Sequence, residues 1–238
     1  MKELVKAVAV LATIAAPSMA AAQDEVEATL GADIVSNYIW RGSDLGGAAI
    51  QPTLGVSYKG FSLTGWGSYG IADRNDTKEF DLTLSYSTGG FTLGITDYYC
   101  LSGTENCPTK YFLYDAHKTS HEFEANVGYD FGVLSFNWYT IFAGNDGMNK
   151  DGDRAYSSYF EIGAPFKLGG LDWEATVGAV PYSTDYYEDA TNGFVINNVT
   201  LKASKEVALS SKLTVPVFGA ISANPSTQKL YFTAGISF

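Results

Sequence analysis

His117, Ser120 and His121 fall within one five-residue stretch, and a hydroxyl beside imidazoles is the raw material of nucleophilic catalysis. Neighbouring residues of a strand point to opposite faces, so Ser120 and His121 do not pair as nucleophile and base. The two histidines lack a third ligand at a spacing that would complete a zinc site. The stretch NDGMNKDGD at 145–153 has the oxygen-rich character of a calcium loop, but no glycine at its sixth position and no closing glutamate, and reads as a solvated external loop. Cys100 and Cys107 are the two cysteines of the chain, too few for a zinc site. In an exported protein they are expected to form a disulfide that braces a short loop, worth roughly 2–3 kcal/mol. These residues point to no catalysis, no cofactor and no metal.

The remaining chemistry is electrostatic. Glu27, Asp33, Glu79, Asp81, Glu122, Glu124, Glu161, Asp172 and Glu174 recur at positions opposite in parity to apolar neighbours, together with Arg41 and Lys202. If one parity faces a lumen, these residues line it, and an acidic wall concentrates cations and repels anions. Arg41 could stand alone at the mouth of such a lumen. A bridge to Glu79 or Asp81 is the stronger expectation, because a lumenal guanidinium seeks a carboxylate.

Strands must position such residues. Val26, Ala28, Leu30, Ala32 and Ile34 alternate with Glu27, Thr29, Gly31 and Asp33; Phe80, Leu82 and Leu84 alternate with Glu79, Asp81 and Thr83. Similar runs occur near 26–41, 48–59, 61–72, 78–87, 91–99, 120–130, 132–142, 155–166, 171–182, 194–205, 212–222 and 229–238. This spacing predicts about twelve strands. Short connections at 59–60, 87–90, 130–132 and 167–170 are separated by longer polar ones at 73–77, 100–119, 143–154 and 183–193. Such an alternation of turns and loops marks an antiparallel transmembrane β-barrel with an even strand number.

Aromatic residues fall at both strand ends, as two interfacial girdles require. Tyr58, Phe61, Tyr86, Phe91, Tyr129, Phe131, Phe166 and Trp173 flank the short turns; Tyr38, Trp40, Tyr69, Tyr99, Phe142, Tyr156 and Tyr182 stand at the opposite ends. The closing segment QKLYFTAGISF places Leu230, Phe232, Ala234, Ile236 and Phe238 on one face. Its terminal Phe238 is similar to the C-terminal assembly signal of bacterial outer-membrane proteins, which implies recognition by the barrel-assembly machinery.

Residues 1–22 combine a basic start at Lys2 and Lys6, an apolar run from Ala7 to Ala16 and a small-residue end, the pattern of a secretory signal peptide. Residues 23–238 are then the barrel domain. The full chain carries a net charge of −11. Removing Lys2, Lys6 and Glu3 leaves about −12, which argues against nucleic acid as a partner. Past the signal no apolar run reaches the roughly 18 residues that a spanning helix needs. The expected setting is the lipid of a bacterial outer membrane, with small solutes as the other partners and catalysis absent. The oligomeric state is not legible.

The stretch VSNYIWRGSDLGGAAIQPTLGVSYKGFSLTGWGSYG resembles the N-terminal part of the TorF-like porin family, through Tyr38, Arg41 and Gly42, then Ala49, Ile50 and Gln51, then Trp66, Gly67 and Ser68. Glu79, Asp81 and Asp97–Tyr98–Tyr99 extend the likeness to about residue 100. Gln51–Pro52 and the Cys100–Cys107 loop depart from the family pattern, and the later half matches it in strand rhythm alone. The resemblance implies an outer-membrane channel for passive diffusion of small, neutral or cationic solutes. The alternative is a non-conducting structural or receptor barrel that acts through its external loops.

Overall fold

A computed structural model describes residues 25–73, 76–101, 110–115, 118–188, 190–211 and 213–238. The proposed signal peptide, Cys107 and His117 lie outside the described residues. All regular elements are strands: β1 (Glu27–Val35), β2 (Tyr38–Trp40), β3 (Ser43–Gly46), β4 (Ala49–Tyr58), β5 (Phe61–Gly70), β6 (Lys78–Thr88) and β7 (Phe91–Cys100), followed by β8 (His121–Asp130), β9 (Ser135–Gly144), β10 (Ser158–Leu168), β11 (Leu171–Val180), β12 (Val195–Ser210), β13 (Leu213–Asn224) and β14 (Lys229–Ser237).

Twelve of them, β1 and β4 to β14, form a closed antiparallel barrel in which each strand pairs with its sequence neighbour and β14 returns to β1. Closure joins the two outermost strands of the sheet, β1 and β14, over Ala32–Val35. The seam is set by Asp33 opposite Ser237 and Ile34 opposite Ile236, and the Phe238 N–H donates to the Ala32 carbonyl at 3.0 Å.

Period-2 alternation fixes the facing. Leu30, Leu54, Leu84, Leu93, Ile162, Val177, Ile221 and Phe232 are exposed on the outer wall, whereas Asp33, Gln51, Thr53, Ser68, Asp81, Asn137 and Ser222 are buried inside. Five tight connections and both described chain ends share one end of the barrel, here called the turn end; the longer connections lie at the loop end. The tight turns follow from local chemistry. Lys59 and Gly60 both have positive φ, 49° and 85°, as a two-residue type I′ hairpin requires.

The sequence reading runs the first strand through 26–41, and there the chain differs. β1 ends at Val35, and the next residues turn into the barrel as a separate two-stranded hairpin, β2–β3. At its tip Arg41 and Gly42 have φ of 47° and 77°. Tyr38 and Trp40 therefore belong to the interior and not to an outer aromatic girdle. Tyr38 is 9% exposed and stands 5.6 Å from Trp66, ring to ring. Tyr69, Phe142, Tyr156 and Tyr182 do stand exposed at the loop end.

Candidate functional site

The hairpin tip carries Arg41 into the loop-end half of the barrel. Its guanidinium meets Glu124 of β8 in a two-pronged pair, Nη1 to Oε2 at 2.6 Å and Nη2 to Oε1 at 2.8 Å, with both side chains buried. Nη1 also donates to the Tyr187 hydroxyl at 2.7 Å. The planar cation lies against three ring faces, with its carbon 4.4 Å from the centroid of Trp40, 4.3 Å from Tyr139 and 4.6 Å from Tyr159. Charge-assisted bonds and ring faces together replace the water a guanidinium loses on burial.

The tip is held independently of that side chain. Asn197 donates to the Arg41 carbonyl at 3.0 Å and Asn224 to the Gly42 carbonyl at 3.0 Å. Around this core, the Tyr98 hydroxyl donates to Glu124 at 2.9 Å, Tyr186 donates to Glu122 at 2.5 Å, and Tyr159 donates to Glu161 at 2.9 Å. Trp40 stacks on Tyr187 at 6.0 Å. Tyr159 finds room because Gly178, opposite Glu161, has no side chain; a Cβ there would meet the Tyr159 hydroxyl at 1.8 Å. Tyr139, Tyr159, Tyr187 and Val180 belong to one buried cluster, with Trp40 of the hairpin packed against it.

Toward the turn end the interior is less crowded. Thr83, Thr96, Asn126, Glu174, Thr176, Thr200 and Lys202 occupy inward positions by register, yet all are half-exposed. Inward side chains in this half therefore keep partial exposure, unlike those around Arg41. Lys202 stands beside Glu174 in the ladder, with its ammonium 4.4 Å from the Phe218 ring.

The charged residues singled out in the sequence divide along this axis. Arg41, Glu122, Glu124 and Glu161 belong to the Arg41 cluster; Asp33, Glu79 and Asp81 occupy inward positions in the loop-end halves of β1 and β6; Glu27, Asp172, Glu174 and Lys202 lie in the turn-end half. Asp172 pairs with Lys167 at 2.8 Å, both well exposed. The expected bridge from Arg41 to Glu79 or Asp81 is not formed, because the hairpin crosses the barrel and delivers the guanidinium to β8. Glu79 instead lies beside Tyr38 and Asp81.

Sequence reasoning met Tyr98 only in the family resemblance and did not pick out Tyr139, Tyr159, Tyr187, Asn197 and Asn224. A signal existed for two of them: Tyr139 and Tyr159 stand at the inward parity of their strands, where small or polar residues otherwise prevail. Tyr187, Asn197 and Asn224 sit at loops or strand ends and carry no such mark.

No family model and no curated protein matches the chain. Among solved structures, Salmonella typhi OmpF in complex with daunomycin is 9% identical with a TM-score of 0.39, over 90% of this chain and 97% of that one. A refined porin structure is 12% identical with a TM-score of 0.34, over 82% of this chain; the match spans 62% of the porin's length.

Several other described loop-end residues are engaged in structural contacts. His121 faces outward and is fully buried beneath Tyr111 and Tyr114, with Nδ1 2.7 Å from Asp97 and Nε2 2.6 Å from the Tyr111 carbonyl. Neither ring nitrogen is directed at Ser120. In the 145–153 loop, Asp146 accepts from the Ser157 N–H at 3.1 Å and pairs with Arg154 at 3.4 Å. Asp76, at the β5–β6 connection, accepts backbone N–H bonds from Asp73, Gly47 and Ala72, which hold its carboxyl below the usual range.

Proposed function

We propose that this protein is a porin-like channel of a bacterial outer membrane, for passive diffusion of small neutral or cationic solutes. The observation that carries this reading is the closed ring of twelve strands with an apolar outer wall and a polar interior. A closed barrel satisfies every ladder group internally, which is the condition for crossing hydrocarbon with strands. Turns at one end and loops at the other give the asymmetry of outer-membrane barrels, with the turn end periplasmic. The resemblance of residues 35–100 to TorF-like porins supports the same reading. So do the signal-peptide pattern of residues 1–22 and Phe238 as an assembly signal, while a Cys100–Cys107 disulfide would brace the long loop after β7.

The solute path in this proposal runs from the turn-end half to the Arg41 cluster, which is its constriction. Carboxylates in the turn-end half favour cations. One observation favours the alternative, a non-conducting structural or receptor barrel: the Arg41–Glu124 pair and a buried cluster of Tyr139, Tyr159 and Tyr187 stand inside the barrel at this level.

Planar-bilayer recordings decide between them. The channel reading expects discrete conductance steps from the purified protein and larger or more frequent ones after deletion of hairpin residues 38–46. Silence from both proteins, each showing the heat-modifiable gel migration of an assembled barrel, would establish the non-conducting alternative.

A further inference from the structure

Taking the channel reading as its basis, we propose that the wall around Arg41 is a recognition site for solutes bearing a guanidinium group, and that Arg41 is its tethered occupant. Apart from the Trp40 ring, the groups that hold the guanidinium belong to the wall and a loop and not to the hairpin: Glu124, itself bonded by Tyr98, with Tyr139, Tyr159 and Tyr187. Without Arg41 they still present a two-oxygen carboxylate edge and two ring faces to a flat cation.

Closing a hole does not call for this chemistry. Apolar side chains fill space at far lower desolvation cost than a charge does, and a buried pair often contributes less than well-packed apolar residues of the same volume. A bidentate carboxylate between ring faces discriminates instead. It prefers a planar, forked cation to an ammonium, and a cation to a neutral isostere.

A second observation points to a ligand larger than the group now held. The Tyr139 hydroxyl is buried and has no hydrogen-bond partner among the described residues, although its ring lies 4.3 Å from the guanidinium carbon. A buried hydroxyl left unpaired costs free energy that a ligand with one more donor or acceptor recovers. In this proposal a ligand enters from the turn side, where the inward-facing Thr96 and Asn126 are half-exposed. The occupant is displaceable, because Asn197 and Asn224 hold the tip through backbone carbonyls and leave the side chain to compete on its own.

The test is equilibrium binding to the assembled barrel in detergent, which needs no conduction. Methylguanidinium and its neutral isostere N-methylurea are titrated into Arg41→Ala by calorimetry. Saturable binding of methylguanidinium is expected, with N-methylurea about tenfold weaker or more, and wild type, whose site is filled, weaker by a similar factor. Adding Glu124→Gln to Arg41→Ala should abolish the difference between the probes. If Arg41→Ala fails to assemble, Arg41→Gln keeps the side-chain length and serves in the same comparison. Equal response to both probes, or binding that survives Glu124→Gln, overturns the proposal. A barrel that binds but never conducts in a bilayer keeps the site and rejects the channel; one that conducts without binding does the reverse.

Discussion

Gly42 lies directly against the backbone of Asn197: a Cβ added to Gly42 would stand 1.8 Å from the Asn197 carbonyl oxygen. The contact joins the hairpin tip to β12 more tightly than any side chain would allow, and Gly42 also carries a φ of 77°. An L-residue in that region costs about 1–2 kcal/mol before any clash is counted.

Gly42→Ala should therefore lift the hairpin from the wall while leaving the barrel intact. The expected result is more frequent or larger conductance steps in a planar bilayer, with unchanged heat-modifiable migration. A Gly42→Ala protein whose recordings match wild type would remove the hairpin from its role as the constriction.

The buried pair predicts a stability difference between single and double variants. Glu124→Gln leaves the Arg41 guanidinium buried without a counter-charge, a change that costs about 3–5 kcal/mol. Arg41→Met combined with Glu124→Leu removes both charges and should cost less than Glu124→Gln alone. Denaturant unfolding of the three barrels in detergent measures the order; a double variant less stable than the single would mean that packing and not charge decides this site.

Selectivity should be set by the turn-end half. Glu122 is occupied by Tyr186 and Glu124 by Arg41 and Tyr98, whereas Glu174 is half-exposed and Glu27 is exposed. In a salt gradient the reversal potential should take the cation-selective sign, and more strongly near 0.01 M salt, where the Debye length is about 30 Å, than near 0.1 M, where it is about 10 Å. Glu27→Gln with Glu174→Gln should reduce it more than Glu122→Gln does. An anion-selective potential would reject the cationic-solute proposal.

The last strand predicts a parity effect. Ala234 is exposed on the outer wall, and Thr233 is half-buried at the inward position opposite Ala220. Arginine at 234 should cost about 2–4 kcal/mol if it sits near the bilayer midplane, while arginine at 233 should cost little. Folding titrations into lipid vesicles give both values, and equal costs would contradict the membrane-spanning assignment of β14.

What could be read from the sequence was local. Leu82 and Thr83 differ in facing because consecutive strand residues point to opposite sides, and Lys59–Gly60 makes a turn because glycine tolerates positive φ beside it; neither statement needs another part of the chain. The number of strands, their antiparallel order and the parity of Glu79, Asp81, Glu122, Glu124 and Glu174 follow from such rules. The site did not follow. Residues 36–40, Ser-Asn-Tyr-Ile-Trp, carry no turn signal that would part them from the wall strand before them, and only the folded barrel, with Asn197 and Asn224 ready to receive the tip, turns them inward. Arg41 then meets Glu124, 83 residues away, and Tyr187, 146 residues away, because closing the ring brings β8 and the β11–β12 loop to where the hairpin ends. A charge seeking a partner is visible in one dimension; which carboxylate lies within its reach is a property of the closed barrel.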